Sequence, residues 1–115
     1  MTRYRTDRPD PSVYRPPAGR SLAERAAEQD AAAGSRNGRL LLREDGAAVL
    51  ASVALRCYRN SRRVYAYLRW TAQSGTRELY LGDVSDSPDR GAALQAAWRL
   101  AHSTQAMQQP SPTPS

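Results

Sequence analysis

The chain has 115 residues, room for one domain, and a net charge of +6 carried by 17 basic residues, every one an arginine, against 11 acids. No apolar run approaches the length of a membrane span, and the first residues hold no apolar stretch of the kind that directs secretion, so a cytoplasmic protein is expected. A single cysteine excludes an internal disulfide, and Cys57 falls in the apolar register of a strand, where a buried, reduced thiol is expected.

Isoleucine, phenylalanine and lysine are absent and asparagine occurs twice, which a G+C-rich coding sequence explains and which suits a bacterium of actinobacterial-like composition, its phage or another mobile element. Codon bias does not explain where the charge lies. Residues 34–72 carry eight arginines against two acids, whereas 1–33 carry six against five and 73–115 three against four. A field concentrated in this way points to a polyanionic partner, with nucleic acid first among them.

In chain order, residues 1–20 combine five arginines with prolines at 9, 11, 16 and 17 and little that suits a core, so a disordered arm is expected. Ser21-Leu22-Ala23-Glu24 reads as a capping box, in which the serine oxygen accepts an early helical N–H while the glutamate reaches back. The alanine-rich run to Ala33 then favours helix and Gly34 ends it. Its apolar stripe is Leu22 and alanines alone, so a marginal helix over 21–33 is expected, frayed or formed on contact with a partner. Arg39-Leu40-Leu41-Leu42-Arg43 suits either a short edge strand or a last helical turn, before a turn at Glu44-Asp45-Gly46.

From Val49 the apolar period becomes two. The first predicted strand covers Val49 to Tyr58, with Val49, Ala51, Val53, Leu55 and Cys57 on one face and Arg56 and Tyr58 on the other. Arg59-Asn60-Ser61-Arg62 turns the chain through local side-chain bonds. The second strand covers Arg63 to Thr71, Val64, Ala66, Leu68 and Trp70 facing inward and Arg63, Tyr65, Tyr67 and Arg69 outward. After Gln73-Ser74-Gly75 a third strand covers Arg77 to Val84, with Leu79 and Leu81 inward, Glu78 and Tyr80 outward, and a bulge at Gly82 ending the pairing. Ser87-Pro88-Asp89 has the chemistry of a helix start, with Ser87 as the cap. Leu94, Ala97, Trp98 and Ala101 repeat at helical spacing to about His102. Residues 104–115 suit a disordered tail.

The expected fold is α+β: a three-stranded antiparallel sheet packed against one C-terminal helix. It forms a compact domain over 39–103, with an arginine- and proline-rich arm over 1–38 and disordered tails at both ends. A core this small gains from dimerisation or from a protein partner.

This element order, with the strand textures Val64-Tyr65-Ala66-Tyr67-Leu68-Arg69-Trp70 and Arg77-Glu78-Leu79-Tyr80-Leu81-Gly82, resembles the small DNA-binding domain of integrase arm-binding regions and plant AP2-type factors. The resemblance covers residues 49–102. It implies a sheet laid in the DNA major groove, with Arg56, Tyr58, Arg63, Tyr65, Tyr67 and Arg69 touching bases and phosphates, joined by Tyr80. Glu78 departs from an all-basic face and either accepts from a cytosine amino group or pairs with Arg69 across the sheet.

The residues themselves support the same set. Tyr65 and Tyr67, flanked by Tyr58 and Tyr80, form either a stacking platform for bases or ordinary cross-strand packing. Arg59, Arg62 and Arg63, with Arg56 nearby, suit phosphate contacts at one end of the sheet, and Arg77 extends the acid-free stretch. His102, the one histidine, has no neighbouring ligand types in the sequence, and no nucleophile–base–acid pattern surrounds it, so neither metal, cofactor nor catalysis is expected. The leading expectation is a small non-enzymatic DNA-binding protein, with double-stranded DNA the first candidate. A protein-interaction adaptor and a binder of single-stranded nucleic acid are the alternatives.

Overall fold

The computed structural model of the chain describes residues 11–42, 46–58, 62–72 and 75–104. The turns expected at Glu44-Asp45, Arg59-Asn60-Ser61 and Gln73-Ser74 lie outside them, as do the tails 1–10 and 105–115. In order the chain forms a 3₁₀ turn at Pro11–Tyr14, helix α1 at Leu22–Ala33, a second 3₁₀ turn at Asn37–Arg39, strands β1 (Leu40–Leu42), β2 (Ala48–Leu50), β3 (Ser52–Cys57), β4 (Val64–Ala72) and β5 (Gly75–Asp83), and helix α2 at Arg90–His102. The α+β class is as expected. β3, β4 and β5 form an antiparallel three-stranded sheet in that order, while β1 and β2 pair as a separate small sheet.

β4 is the middle strand, and its alternation decides which side is dry. Val64, Ala66 and Leu68 are fully buried, whereas Tyr65 and Tyr67 are half-buried and Arg69 is exposed. Helix α2 meets the dry side with Ala93, Leu94, Ala97, Trp98 and Ala101, all buried and all on one helical stripe. Each large side chain so buried contributes about 1.5–3 kcal/mol. Trp98 lies in this core and Trp70 packs against it half-buried.

Several details differ from expectation, each for a local reason. The strand expected over 49–58 breaks at Ala51, where the chain changes partner: Ala48–Leu50 pair with β1, and Ser52–Cys57 pair with β4. The break is held by Arg39, whose carbonyl accepts from the Ala51 N–H at 2.8 Å and whose Nε donates to the Ala51 carbonyl at 3.0 Å. Tyr58 follows the end of β3. Cys57 keeps its expected register but is exposed rather than buried. Partial desolvation still raises its thiol pKa, against the pull of Arg15, so it stays protonated near neutrality.

Gly82 does not end the sheet. Ala66 pairs with Gly82 and Tyr67 with Tyr80, so Leu81 is the extra residue of a bulge and pairing continues to Asp83. A side chain at Gly82 would bring a Cβ within 3.2 Å of Leu100 Cδ1, so glycine lets α2 approach the sheet there. Leu79 faces the α2 side, opposite Leu68, but on an outer strand it remains 37% exposed. The cap of α2 is Asp89, whose carboxylate accepts from the Ala92 N–H at 2.9 Å, and not Ser87.

Ser87 is buried and serves another purpose: its carbonyl accepts from the hydroxyl of Tyr14. Tyr14, in the stretch expected to be a solvated arm, is 2% exposed and belongs to the core. Its carbonyl accepts from Arg90 Nη1 at 2.9 Å, so the packed unit extends N-terminal to residue 39.

Helix α1 has both halves of its capping box and ends at Gly34 in the left-handed conformation that glycine adopts without strain. It buries no residue fully, yet it is docked rather than frayed. Gln29 receives the Val53 N–H and donates to the Val53 carbonyl, both at 3.0 Å, so one amide side chain pairs with the outer edge of β3 as a neighbouring strand would. The same oxygen accepts from Trp98 Nε1 at 3.1 Å. Glu28 accepts from Arg90 at 2.9 Å and from Arg20 at 2.7 Å, and Asp30 accepts from Arg39 at 2.8 Å.

Replacing Tyr14 with alanine is expected to cost about 3–5 kcal/mol of unfolding free energy, read by urea denaturation, because a filled core site and a buried hydrogen bond are both lost. Glu28 gives a pH signature. The Arg90 hydrogen bond lowers its pKa; burial opposes this, and Arg20 adds to it. Its contribution is therefore full above the ordinary carboxylate range of about 4.3 and is lost as pH falls through the lower folded value. Glu28→Gln is expected to be less stable than the parent at neutral pH, with the difference shrinking in acid.

Candidate nucleic-acid interface

The face turned away from α2 is assembled by register alone. Arg56 of β3 stands opposite Tyr65, and across β4 and β5 the outward pairs are Tyr65 with Asp83, Tyr67 with Tyr80, and Arg69 with Glu78. The bulge at Leu81 has a direct effect here: the ladder runs unbroken from the hairpin end to Tyr67 opposite Tyr80, and the extra residue then sets Asp83, rather than Gly82, opposite Tyr65. Tyr80 then touches both β4 tyrosines, with ring centroids 5.4 Å from Tyr67 in an edge arrangement and 6.2 Å from Tyr65. Tyr58 joins at 5.6 Å from Tyr65. Four phenol rings thus form one continuous patch of tilted contacts, the geometry that aromatic quadrupoles favour. Tyr58 and Tyr80, at 51% and 54% exposure, are its open members.

The cations of this face are engaged with carboxylates of β5. Glu78 accepts from Arg56 Nη2 at 2.6 Å and forms an ion pair with Arg69, whose Nε lies 3.1 Å away, so the expected cross-sheet pair with Arg69 is present and a second arginine shares it. The Arg56 guanidinium also lies 4.4 Å from the ring centroid of Tyr67, within cation–π range, and its hydrogen bond to Glu78 raises its pKa further above the usual arginine value. Arg63 Nη1 donates to Asp83 Oδ2 at 2.8 Å, and the other oxygen of Asp83 accepts from the Ser85 N–H at 2.7 Å. Burial works against ionisation of Asp83, but the bonds from Ser85 and Arg63 together outweigh it and leave its pKa below the ordinary carboxylate value. The Tyr67 hydroxyl is raised above the usual phenol value, first by its hydrogen bond with Tyr58 and next by desolvation, with Arg56 pulling the other way.

The face therefore brings together Arg56, Tyr58, Arg63, Tyr65, Tyr67, Arg69 and Tyr80. Arg62 precedes β4 and is half-buried. Arg59 lies outside the described residues. Arg77 pairs with Trp70, so alternation puts it on the opposite side of the sheet from the tyrosines. Asp83 was not singled out from the sequence. An acid near the end of the third strand was the available signal, but its place opposite Tyr65 depends on the extra residue at Leu81.

The concentrated charge of residues 34–72 is also redistributed by folding. Asp30, Glu78 and Asp83 all lie outside that stretch, yet they fold onto Arg36, Arg39, Arg56, Arg63 and Arg69, five of its eight arginines. What the surface offers is an aromatic patch bordered by internally paired cations: it can stack planar groups and exchange its carboxylate partners for other anions. Among the described residues no group of three His, Cys, Asp or Glu side chains could hold a metal ion, and no helix is long and apolar enough to cross a membrane. Comparison with known proteins finds no matching family model, no matching curated protein and no matching solved structure.

The tyrosine patch makes a spectroscopic prediction. In an ultraviolet titration of phenolate formation, one hydroxyl is expected to ionise above the usual value of about 10. Tyr58→Phe is expected to bring Tyr67 back toward that value, because Tyr58 is the leading cause of its shift.

Proposed function

We propose that this chain is a small non-enzymatic nucleic-acid-binding protein that uses the sheet face opposite α2, with double-stranded DNA as its first candidate partner and the cytoplasm of a bacterium as its setting. One observation carries the reading: four tyrosines linked in a chain of ring contacts, two of them about half exposed, lie on one open sheet face with arginines at their border, in a protein of isoelectric point near 10.2. Arginine supplies phosphate contacts that fix position, and the phenol rings supply flat, partly polar contact area. The sheet-and-helix arrangement also fits the resemblance to integrase arm-binding and AP2-type domains, in which the sheet enters the major groove. On that reading the DNA backbone runs along the margin formed by Arg62 and Arg63, and Arg56, Tyr67, Arg69 and Tyr80 meet the groove.

A second reading has its own support. Arg56, Arg63 and Arg69 each already pair with a carboxylate, which lowers the free charge of the face. A tyrosine patch edged with neutralised arginines also has the composition of a protein-binding hot spot.

The two readings separate on salt. For nucleic acid, affinity is expected to fall on the order of tens-fold between about 50 and 200 mM salt if roughly three phosphates are neutralised. Replacing Arg62 and Arg63 together with alanine is expected to weaken binding and to reduce the salt slope by about 2. The measurement is a titration of nuclease-free protein into labelled duplex DNA, single-stranded DNA and RNA at two salt concentrations. Undiminished binding by the double variant would count against the arginine margin. Tighter binding to single strands, lost on replacing Tyr58 and Tyr80, would move the reading to base stacking. No binding to any polymer would leave the protein-interaction reading.

A further inference from the structure

Glu78 is held by two guanidiniums that come from two different strands. Arg69 stands directly opposite it on β4, and Arg56 reaches it from β3, past the ring of Tyr67. Its carboxylate sits where a nucleic-acid phosphate would have to sit to be bound by both arginines at once, and carboxylate and phosphate offer arginine the same paired oxygen acceptors. Resting on the nucleic-acid reading above, we propose that Glu78 acts as a built-in competitor for backbone phosphate. It keeps Arg56 and Arg69 aligned in the free protein and sets the affinity of the face, because phosphate must displace it.

Exposure separates this group from the other carboxylate that binds a pair of arginines between elements, Glu28, and anchoring separates it from Asp83. The side chains of Arg56 and Arg69 are 44% and 47% exposed and that of Glu78 29%, so the cluster is open to water and its ion pairs are of the weak, exchangeable kind. Glu28 also holds two arginines, but Arg20 and Arg90 are only 15% and 17% exposed and tie α1 to the body of the fold. On the sheet face, Asp83 is anchored by the Ser85 N–H in addition to Arg63. Glu78 is the carboxylate placed beside the open tyrosines, within reach of any polymer that lies on Tyr67 and Tyr80.

The test is the salt dependence of binding to a labelled DNA duplex, followed by fluorescence anisotropy for the parent, Glu78→Gln and the combined Arg56→Gln, Arg69→Gln, Glu78→Gln variant. Glutamine keeps the shape of the side chain and removes the competing charge. Glu78→Gln is expected to bind about tenfold more tightly at low salt, and its slope of log affinity against log salt is expected to steepen by roughly 1–2, the signature of one or two added phosphate contacts. Glu78→Ala is expected to shift affinity in the same direction. The combined variant is expected to return to the parental slope or below it. If the parent binds and Glu78→Gln binds no more tightly, with an unchanged slope and a retained unfolding transition, Glu78 is a clamp and the inference is overturned. If neither protein binds nucleic acid, the reading on which it rests fails with it.

Discussion

The structure depends on the two-faced character of β4. As the middle strand of the sheet it sends Val64, Ala66 and Leu68 into the core beneath α2 and Tyr65, Tyr67 and Arg69 to the other side. A slip of one residue would put arginine and tyrosine under the helix and valine in water, so the dry side enforces the register of the wet side. Everything on the candidate interface inherits its position from this constraint. The bulge at Leu81 refines it, setting Asp83 opposite Tyr65 where a ladder continued unbroken from the hairpin would have placed Gly82.

The core is too small to rely on its apolar contacts alone, and polar side chains extend it. Gln29 pairs with the edge of β3 and with the indole of Trp98, and Glu28, Arg90 and the carbonyl of Tyr14 join α1, α2 and the N-terminal segment. Each group takes a partner that would otherwise have to be water, which is how a helix without one fully buried residue is held in place. The same logic governs the sheet face, where Glu78 and Asp83 hold arginines that net charge alone would have left facing solvent.

The parts of this molecule legible in its sequence are those governed by local periodicity. The alternation from Val64 to Trp70 reveals β4 and both its faces, and the spacing of Leu94, Ala97, Trp98 and Ala101 reveals α2 and its buried stripe. The box Ser21-Leu22-Ala23-Glu24 and Gly34 bound α1 correctly. What escaped depends on contacts distant in sequence. Nothing near Tyr14 announces a hydrogen bond to Ser87, 73 residues away. Nothing in an alanine-rich helix announces that Gln29 completes a sheet edge. The break at Ala51 follows from Arg39 gripping its backbone, and an apparently continuous apolar alternation conceals it. Of the candidate site, the outward tyrosines and Arg56, Arg63 and Arg69 were readable by parity. Arg77 departs from that face by the same parity, and the engagement of the arginines by β5 carboxylates required the register between strands.

Net charge on a linear stretch is thus an incomplete guide to the field of a folded surface, and the exposed phenol rings are the feature that most needs a direct test. Nitration of tyrosine by tetranitromethane, read residue by residue by mass spectrometry with and without bound DNA, tests the two-faced sheet and its use together. Tyr58 and Tyr80 are expected to react in the free protein and to be shielded by the duplex, while Tyr14 stays unreactive in both. Rapid modification of Tyr14 in the folded protein, or Tyr58 and Tyr80 that react equally in the presence of saturating DNA, would contradict the account.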